Sequence, residues 1–162
     1  MNNFDNTYRE NYPKMFGVAC KMLNDKDVAN DIVQEVFIYC YERMQSGFYP
    51  QHFSSWLVRA VINKCIDHLN RKKKYTSLIT LNETATDEDN SLETQQQKAL
   101  LHQAIAKLKP LEIKIIVLYS EAYSYKEIAE IAEINFASVG KTLSRTLNKL
   151  KHNLKKLNYE MY

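Results

Sequence analysis

Residues that interrupt helices are scarce in this sequence, which has three glycines and three prolines among 162 residues. An all-β fold needs a turn every few residues, and such turns rely on glycine and proline, so the scarcity argues against it. Over long stretches, apolar residues recur instead at spacings of three and four, which is the pattern of amphipathic helices. The sequence therefore predicts an all-α fold, and the chain is long enough for two small helical domains.

Cysteines are equally few, and the three that occur, Cys20, Cys40 and Cys65, stand far apart on apolar helical faces. An odd number without a CxxC pair argues against both a disulfide framework and a zinc site. No basic start precedes an apolar run at the N-terminus, and no apolar stretch approaches the length of a membrane span. We therefore expect a cytoplasmic chain with reduced cysteines, no signal peptide and no membrane insertion.

Sequence motifs of catalysis are missing too. There is no HExxH, no glycine-rich phosphate loop and no Cys/His pairing at ligand or triad spacing. Each histidine is expected to be a surface or structural residue; the four are His52, His68, His102 and His152. The sequence thus predicts a protein that is not an enzyme, with no catalytic residues, no metal, no cofactor and no small-molecule substrate.

Charge is unevenly distributed, although the net charge is only +3. Residues 75–97 contain five carboxylates and neither lysine nor arginine. Because this segment also lacks a sustained apolar period in its middle, we predict a flexible acidic linker. It would join a first helical domain at residues 1–74 to a second helical domain at residues 98–162.

One candidate surface lies on a helix predicted at about residues 27–44. There Asp31, Gln34 and Glu35 share a polar edge, because they occupy positions i, i+3 and i+4. A solvated helix face is the commoner explanation of three polar residues so placed. The alternative is an acidic edge on which a basic partner docks.

A second candidate surface lies on the helix predicted over Phe53–Lys74. Trp56, Arg59 and Asn63 form a stripe apart from its apolar face, and its C-terminal end is cationic. Rings stack on bases, amides read base edges and cations hold phosphates, so the stripe suits a nucleic-acid strand. The alternative is a core tryptophan and a solvated basic helix end. The aromatic loop at 48–52 fits either simple packing or a pocket for an extruded base.

The second domain contains a predicted helix-turn-helix. Ser124 and Glu127 form a capping box that opens a short helix, and the small Ala129 lets a second helix cross closely. That second helix has an apolar stripe and, opposite it, a stripe of hydroxyls and cations without a carboxylate. Because a major groove and its phosphates need such groups, we favour DNA binding over a solvated bundle helix.

The order of these parts resembles that of a small alternative RNA polymerase sigma factor, from the extracytoplasmic-function (ECF)-like group of the sigma-70 family. DVANDIVQEVFIYCYERM is similar to the core-polymerase-binding helix of region 2, and FSSWLVRAVINKCIDHLNRKKK to the promoter-melting and −10 helix. LKPLEIKIIVLYSEAYSYKEIAEIAEINFASVGKTLSRTLNKL resembles region 4, whose helix-turn-helix reads the −35 element. A helix-turn-helix alone is common, but these three segments in this order, with an acidic linker between them, are specific.

The resemblance implies a sigma factor that binds core RNA polymerase, at the β′ clamp and β flap, and directs promoter-specific transcription initiation. Promoter DNA is the other implied partner. Whether an anti-sigma factor also binds this chain is left open, although many relatives have one. The implied site residues fall into three groups. Those for core polymerase are Asp31, Gln34, Glu35 and Phe37; those for −10 DNA are Phe48, Trp56, Arg59, Asn63, Arg71 and Lys72; those for −35 DNA are Ser138, Lys141, Thr142 and Arg145.

Three residues depart from the family pattern in the helix-turn-helix. Glu133 stands where the turn usually has glycine, at a position that often needs a positive φ. Gly140 and Thr142 stand where lysine and arginine are frequent, and Gly140 costs the helix about 1 kcal/mol relative to alanine.

Two other functions remain open on the sequence. A stand-alone helix-turn-helix regulator would bind duplex DNA without polymerase, but it leaves the acidic edge unexplained. An all-helical adaptor, whose basic helices meet acidic proteins, would show no salt-dependent affinity for DNA.

Overall fold

The computed structural model describes residues 3–76 and 92–160, and within these ranges it contains helices and short connections but no strand. The all-α fold is thus confirmed. In chain order the described helices are α1 (Asn3–Met22), α2 (Lys26–Gln45), α3 (Phe53–Thr76), α4 (Leu92–Ala106), α5 (Pro110–Ser120), α6 (Tyr125–Ala132) and α7 (Phe136–Glu160). None of these helices is long and apolar enough to cross a membrane.

Helices α1, α2 and α3 pack against one another to form the first domain. Its most deeply buried side chains are no more than 2% exposed and include Met15, Val18, Val33, Phe37, Leu57 and Ile62. Burying one such side chain stabilises the fold by about 1.5–3 kcal/mol, so this core holds the three helices in place. The predicted apolar face of α3 is confirmed, and Pro13 leaves α1 continuous.

Some predicted boundaries differ from the observed ones. Helix α2, predicted from about residue 27, begins at Lys26, because the Asp25 carboxylate caps it and accepts the backbone N–H groups of Asp27 at 3.0 Å and Val28 at 3.2 Å. Helix α3 continues to Thr76 and α4 begins at Leu92, so both ends of the linker predicted at 75–97 are helical. Leucine, glutamate and glutamine favour helix, which extends α4 toward the N-terminus. Residues 77–91 of that linker lie outside the described residues.

Helices α4 to α7 form the second domain, and α6 and α7 are its helix-turn-helix. The predicted capping box is confirmed. The Ser124 hydroxyl accepts the Glu127 N–H at 3.1 Å, and the Ser124 N–H donates to the Glu127 carboxylate at 2.9 Å. The turn consists of Glu133, Ile134 and Asn135, because α6 ends at Ala132 and Phe136 already belongs to α7. The Asn135 side chain accepts the Ala137 N–H at 3.2 Å and so starts α7 there.

The two domains touch along two seams. In one seam α1 meets α4 and α5, where the Lys21 ammonium lies 3.1 Å from the Glu121 carboxylate. In the other seam α3 meets α6. Buried apolar side chains of both domains belong to one contiguous cluster. The two domains are therefore held together by buried apolar side chains as well as by polar contacts.

Replacing Gly140 with alanine should stabilise the second domain by about 0.5–1 kcal/mol, because glycine inside a helix costs conformational entropy. An added Cβ would meet only the Tyr125 ring, at an ordinary contact distance of 3.8 Å. Urea denaturation followed by circular dichroism measures the gain. The matched control is Gly47→Ala, which should destabilise, because Gly47 has a φ of +87°. A loss of stability in Gly140→Ala would contradict the prediction.

Candidate nucleic-acid and polymerase interfaces

Four of the six residues predicted for −10 DNA surround one pocket in the first domain. Phe48, Trp56, Arg59 and Asn63 line a pocket of about 260 Å³, although they come from both the loop before α3 and from α3 itself. A Schellman-type turn after α2 places Phe48. Its N–H donates to the Arg43 carbonyl at 3.0 Å, and Gly47 supplies the positive φ that such a turn needs.

Aromatic rings and a cation build the walls of this pocket. The Trp56 ring stacks on Tyr39 at 6.2 Å between centroids and lies 5.9 Å from the tilted Phe48 ring. The Arg43 guanidinium lies 4.4 Å from the Phe48 ring centroid, within the range of a cation–π contact. Flat rings beside cationic nitrogens can stack on a nucleobase and hold a phosphate.

Besides the small Ala60, two pocket residues, Tyr39 and Arg43, were missed by the sequence argument. Both lie on α2, one helical turn apart, and their side chains are exposed. The available signal was this i, i+4 pair of an aromatic and a cation at the end of α2, next to the aromatic loop. That signal becomes meaningful only when α2 and α3 are known to pack together.

The other two residues predicted for −10 DNA, Arg71 and Lys72, are exposed near the end of α3 and do not line the pocket. The positive charges of these two residues affect the pKa of the neighbouring His68. Burial lowers the pKa of His68, and the neighbouring charges of Lys72 and Arg71 lower it further. The end of α3 is therefore an electropositive surface that can meet phosphates apart from the pocket.

The residues predicted for core polymerase occupy different environments on α2. Asp31 and Glu35 are exposed, and the Glu35 carboxylate accepts a hydrogen bond from the Lys64 ammonium at 2.9 Å. Gln34 is half-buried, and its amide donates to the Tyr8 hydroxyl at 2.8 Å. Ile38 and Tyr41, which sequence reasoning left out, are 58% and 40% exposed. Large apolar side chains beside an acidic edge suit a protein-binding surface.

Phe37 corrects the prediction. It was placed in the polymerase-binding group, but its side chain is 1% exposed. Its ring packs edge-on against Tyr8 at 4.8 Å and against Phe4 at 6.5 Å. A ring enclosed by its own domain cannot contact a partner, so Phe37 is a core residue that fixes α1 on α2.

The residues predicted for −35 DNA lie together on the N-terminal half of α7. Ser138, Lys141 and Arg145 are exposed, and Thr142 is half-buried. Lys149 continues their stripe but is held by α5, because its ammonium lies 2.9 Å from the Glu112 carboxylate. Burial alone would raise the pKa of Glu112, but hydrogen bonds from Lys149 and from the Lys109 N–H outweigh it and lower the pKa. The exposed stripe therefore ends before Lys149.

Arg59 also contacts the second domain. Its Nε donates to the Ile131 carbonyl at 2.9 Å, and its Nη2 donates to the Glu130 carbonyl at 2.8 Å. Its Nη1 lies 3.3 Å from the Glu133 carboxylate. One predicted DNA-binding side chain is thus engaged by the helix-turn-helix.

Among residues 3–76 and 92–160, no group of three metal-ligating side chains is placed to hold a metal ion.

Comparison with known proteins places both domains in one family. Residues 7–75 match the model of sigma-70 region 2, and residues 98–150 match the model of sigma-70, region 4. The chain is 29% identical over 161 residues to the ECF RNA polymerase sigma factor SigW of Bacillus subtilis (strain 168), with 89% of this chain and 84% of SigW covered. It is 25% identical over 161 residues to the RNA polymerase sigma factor YlaC of the same organism, with 95% and 93% covered.

A solved structure shares the fold. The sigma factor RpoE from Bartonella quintana, crystallised in complex with the anti-sigma factor NepR, superposes with a TM-score of 0.66 at 19% sequence identity. The superposition covers 96% of this chain and 98% of RpoE.

Proposed function

Because the chain belongs to the sigma-70 family, we propose that its two domains divide the work of a small ECF-type sigma factor. It binds core RNA polymerase and directs promoter-specific transcription initiation, as a non-catalytic subunit. The domain at residues 1–74 acts as region 2, and the domain at residues 98–162 acts as region 4. Since RNA polymerase works on the chromosome, the proposal also places the chain in the bacterial cytoplasm.

Core polymerase docks on the exposed edge of α2. Asp31 and Glu35 supply the negative charge, and Gln34, fixed by Tyr8, lies between them. Ile38 and Tyr41 add exposed apolar surface to this face, and binding removes that surface from water. A basic coiled coil, such as the β′ clamp that the family resemblance implies, complements both features.

The pocket at the start of α3 captures an unstacked base of the −10 element. Support comes from Phe48, which the loop before α3 brings to the same pocket as the helical stripe of Trp56, Arg59 and Asn63. Extruding a base costs a few kcal/mol of stacking, which ring contacts inside a pocket offset. Arg71 and Lys72 hold phosphates of the same strand further along α3.

The N-terminal half of α7 reads the −35 duplex through Ser138, Lys141, Thr142 and Arg145.

Arg145→Ala should weaken duplex binding at all sequences and lower the slope of log affinity against log salt by about 1, because one phosphate contact is lost. Lys151→Ala is a matched control, since Lys151 is an exposed cation on another face of α7. Fluorescence anisotropy with a labelled duplex at several salt concentrations measures both slopes. Equal slopes for wild type and Arg145→Ala would show that this stripe faces something other than DNA.

An anti-sigma factor is a further protein partner in the proposal. An open groove of about 1080 Å³ is lined by residues of α1, α4, α5 and α7. Its walls include the partly exposed Leu101 and Leu147, together with Leu150 and Ile116. An amphipathic helix could bury its apolar face there.

The decisive experiment is a pull-down of the purified chain with bacterial core RNA polymerase, followed by run-off transcription from fragmented genomic DNA. Binding together with new discrete transcripts would support a sigma factor. If the folded chain fails to bind core, the proposal is wrong, and duplex binding would then favour a stand-alone helix-turn-helix regulator. Failure in both assays would favour an adaptor.

A further inference from the structure

The Arg59 guanidinium is gripped by one short stretch of the second domain. Its three nitrogens engage the Ile131 carbonyl at 2.9 Å, the Glu130 carbonyl at 2.8 Å and the Glu133 carboxylate at 3.3 Å. These groups lie more than 70 residues further along the chain. Contacts through all three nitrogens of the planar fork hold the side chain in one orientation.

The end of α6 is well suited to bind this cation. Carbonyls in the last turn of a helix lack partners within the helix and carry the negative end of its dipole. Two of them, at Glu130 and Ile131, point to Arg59. Helix α6 thus receives a cap from a residue of the other domain.

Glu133 adds a carboxylate to this site at a conformational cost. Its φ is +58°, in the left-handed region that glycine adopts freely and other residues adopt with strain. Its side chain is 72% exposed, so packing in the core does not explain why a glutamate stands at this strained position. The contact that the carboxylate makes is with Arg59, in the first domain.

The contacts between α6 and Arg59 also involve the pocket of the first domain. Arg59 lines that pocket together with Trp56 and Asn63. His52, in the loop just before α3 and four residues before Trp56, lies 3.7 Å from the Glu130 carboxylate. The end of α6 therefore contacts residues before and after Trp56, namely His52 and Arg59. A guanidinium whose nitrogens are held in this way cannot also hold a phosphate or a base.

We propose that the turn of the helix-turn-helix is an intramolecular latch, in which Glu133 and the last carbonyls of α6 hold Arg59 and keep it from DNA in the free chain. Binding that separates the domains would release Arg59 for DNA. The DNA part of this inference depends on the function proposed above for Arg59, whereas the latch itself is a property of the free chain.

The test compares Glu133→Gln and Glu133→Gly with wild type. The first variant removes the charge and keeps the size of the side chain; the second removes the side chain and suits the positive φ, so it should fold at least as well. Glu10→Gln is the charge-matched control, because Glu10 is an exposed carboxylate of α1. Circular dichroism checks that each variant is folded.

Acrylamide quenching of Trp56, the single tryptophan of the sequence, reports whether the latch opens. Quenching should increase in both Glu133 variants and stay at the wild-type level in Glu10→Gln. The affinity of the free chain for a labelled AT-rich single-stranded oligonucleotide should rise by about two- to fivefold, the scale of an exposed ion pair. Adding Arg59→Ala to Glu133→Gly should abolish that gain.

Unchanged quenching in both Glu133 variants would overturn the latch. A gain in oligonucleotide affinity equal to that of Glu10→Gln would overturn its effect on DNA binding. Increased quenching without a gain in affinity would support the latch and contradict the role proposed for Arg59, so the two failures are distinguishable.

Discussion

Replacing Phe37 with alanine is expected to remove about 3–5 kcal/mol from the free energy of unfolding of the first domain. The Phe37 ring is 1% exposed and contacts the rings of Tyr8 and Phe4 on α1. Deleting it loses the transfer free energy of the ring and leaves a cavity between α1 and α2. Because domains of this size are stable by only about 5–15 kcal/mol, the loss is a large part of the total.

Urea denaturation followed by Trp56 fluorescence measures this loss, since Trp56 lies in the same domain. Tyr41→Ala is the matched control. Tyr41 is also an aromatic residue of α2 that contacts Phe4, but it is 40% exposed and should cost much less. If Phe37→Ala fails to fold, Phe37→Leu keeps most of the volume and should bind core polymerase like wild type. Normal stability with lost polymerase binding would instead restore Phe37 to the docking surface.

Phe37 shows where two kinds of sequence inference conflict. Its spacing from Val33 and Cys40 places it on the apolar face of α2, and that inference is confirmed by burial. The family resemblance placed the same residue in the binding group, because a motif match does not distinguish side chains that touch a partner from those that hold the motif in shape. Periodicity reports burial directly, so it was the better guide here.

Local interactions made most of the fold predictable. The helices follow from apolar periodicity, and the start of α6 follows from a capping box that spans four residues. Contacts between distant parts of the chain were not predictable in this way. Tyr39 and Arg43 join the pocket because α2 packs on α3, and Arg59 meets Glu133 because the two domains close on each other. A single sequence carries no spacing rule for such contacts.

Glu133 illustrates the same limit in a more informative way. The family pattern predicted a positive φ at this position, and the structure has a φ of +58° there. Sequence reasoning could therefore identify a residue that is unsuited to its backbone conformation. It could not supply the reason, because the partner of the carboxylate lies in the other domain.

Replacing Glu35 with lysine is expected to abolish binding to core RNA polymerase while the first domain stays folded. The Glu35 side chain is 62% exposed, and its ion pair with Lys64 is a surface pair that contributes at most about 1 kcal/mol to stability. At an interface with a basic partner, the reversal replaces an attraction by a repulsion between like charges. Losing a close charge pair there costs about 2–5 kcal/mol or more, which corresponds to a loss in affinity of about 30- to 5000-fold.

A binding titration of labelled chain with bacterial core polymerase measures the effect, with circular dichroism to show that the variant is folded. Glu10→Lys makes the same charge change on α1 and should bind within about twofold of wild type, because an exposed charge outside the contact acts only through the screened long-range field. Lys64→Ala frees the Glu35 carboxylate from its intramolecular partner and should leave binding unchanged or slightly tighter. Retained binding in a folded Glu35→Lys variant would remove the α2 edge as the docking surface. Loss of binding in Glu10→Lys as well would show that overall charge, rather than this edge, directs the association.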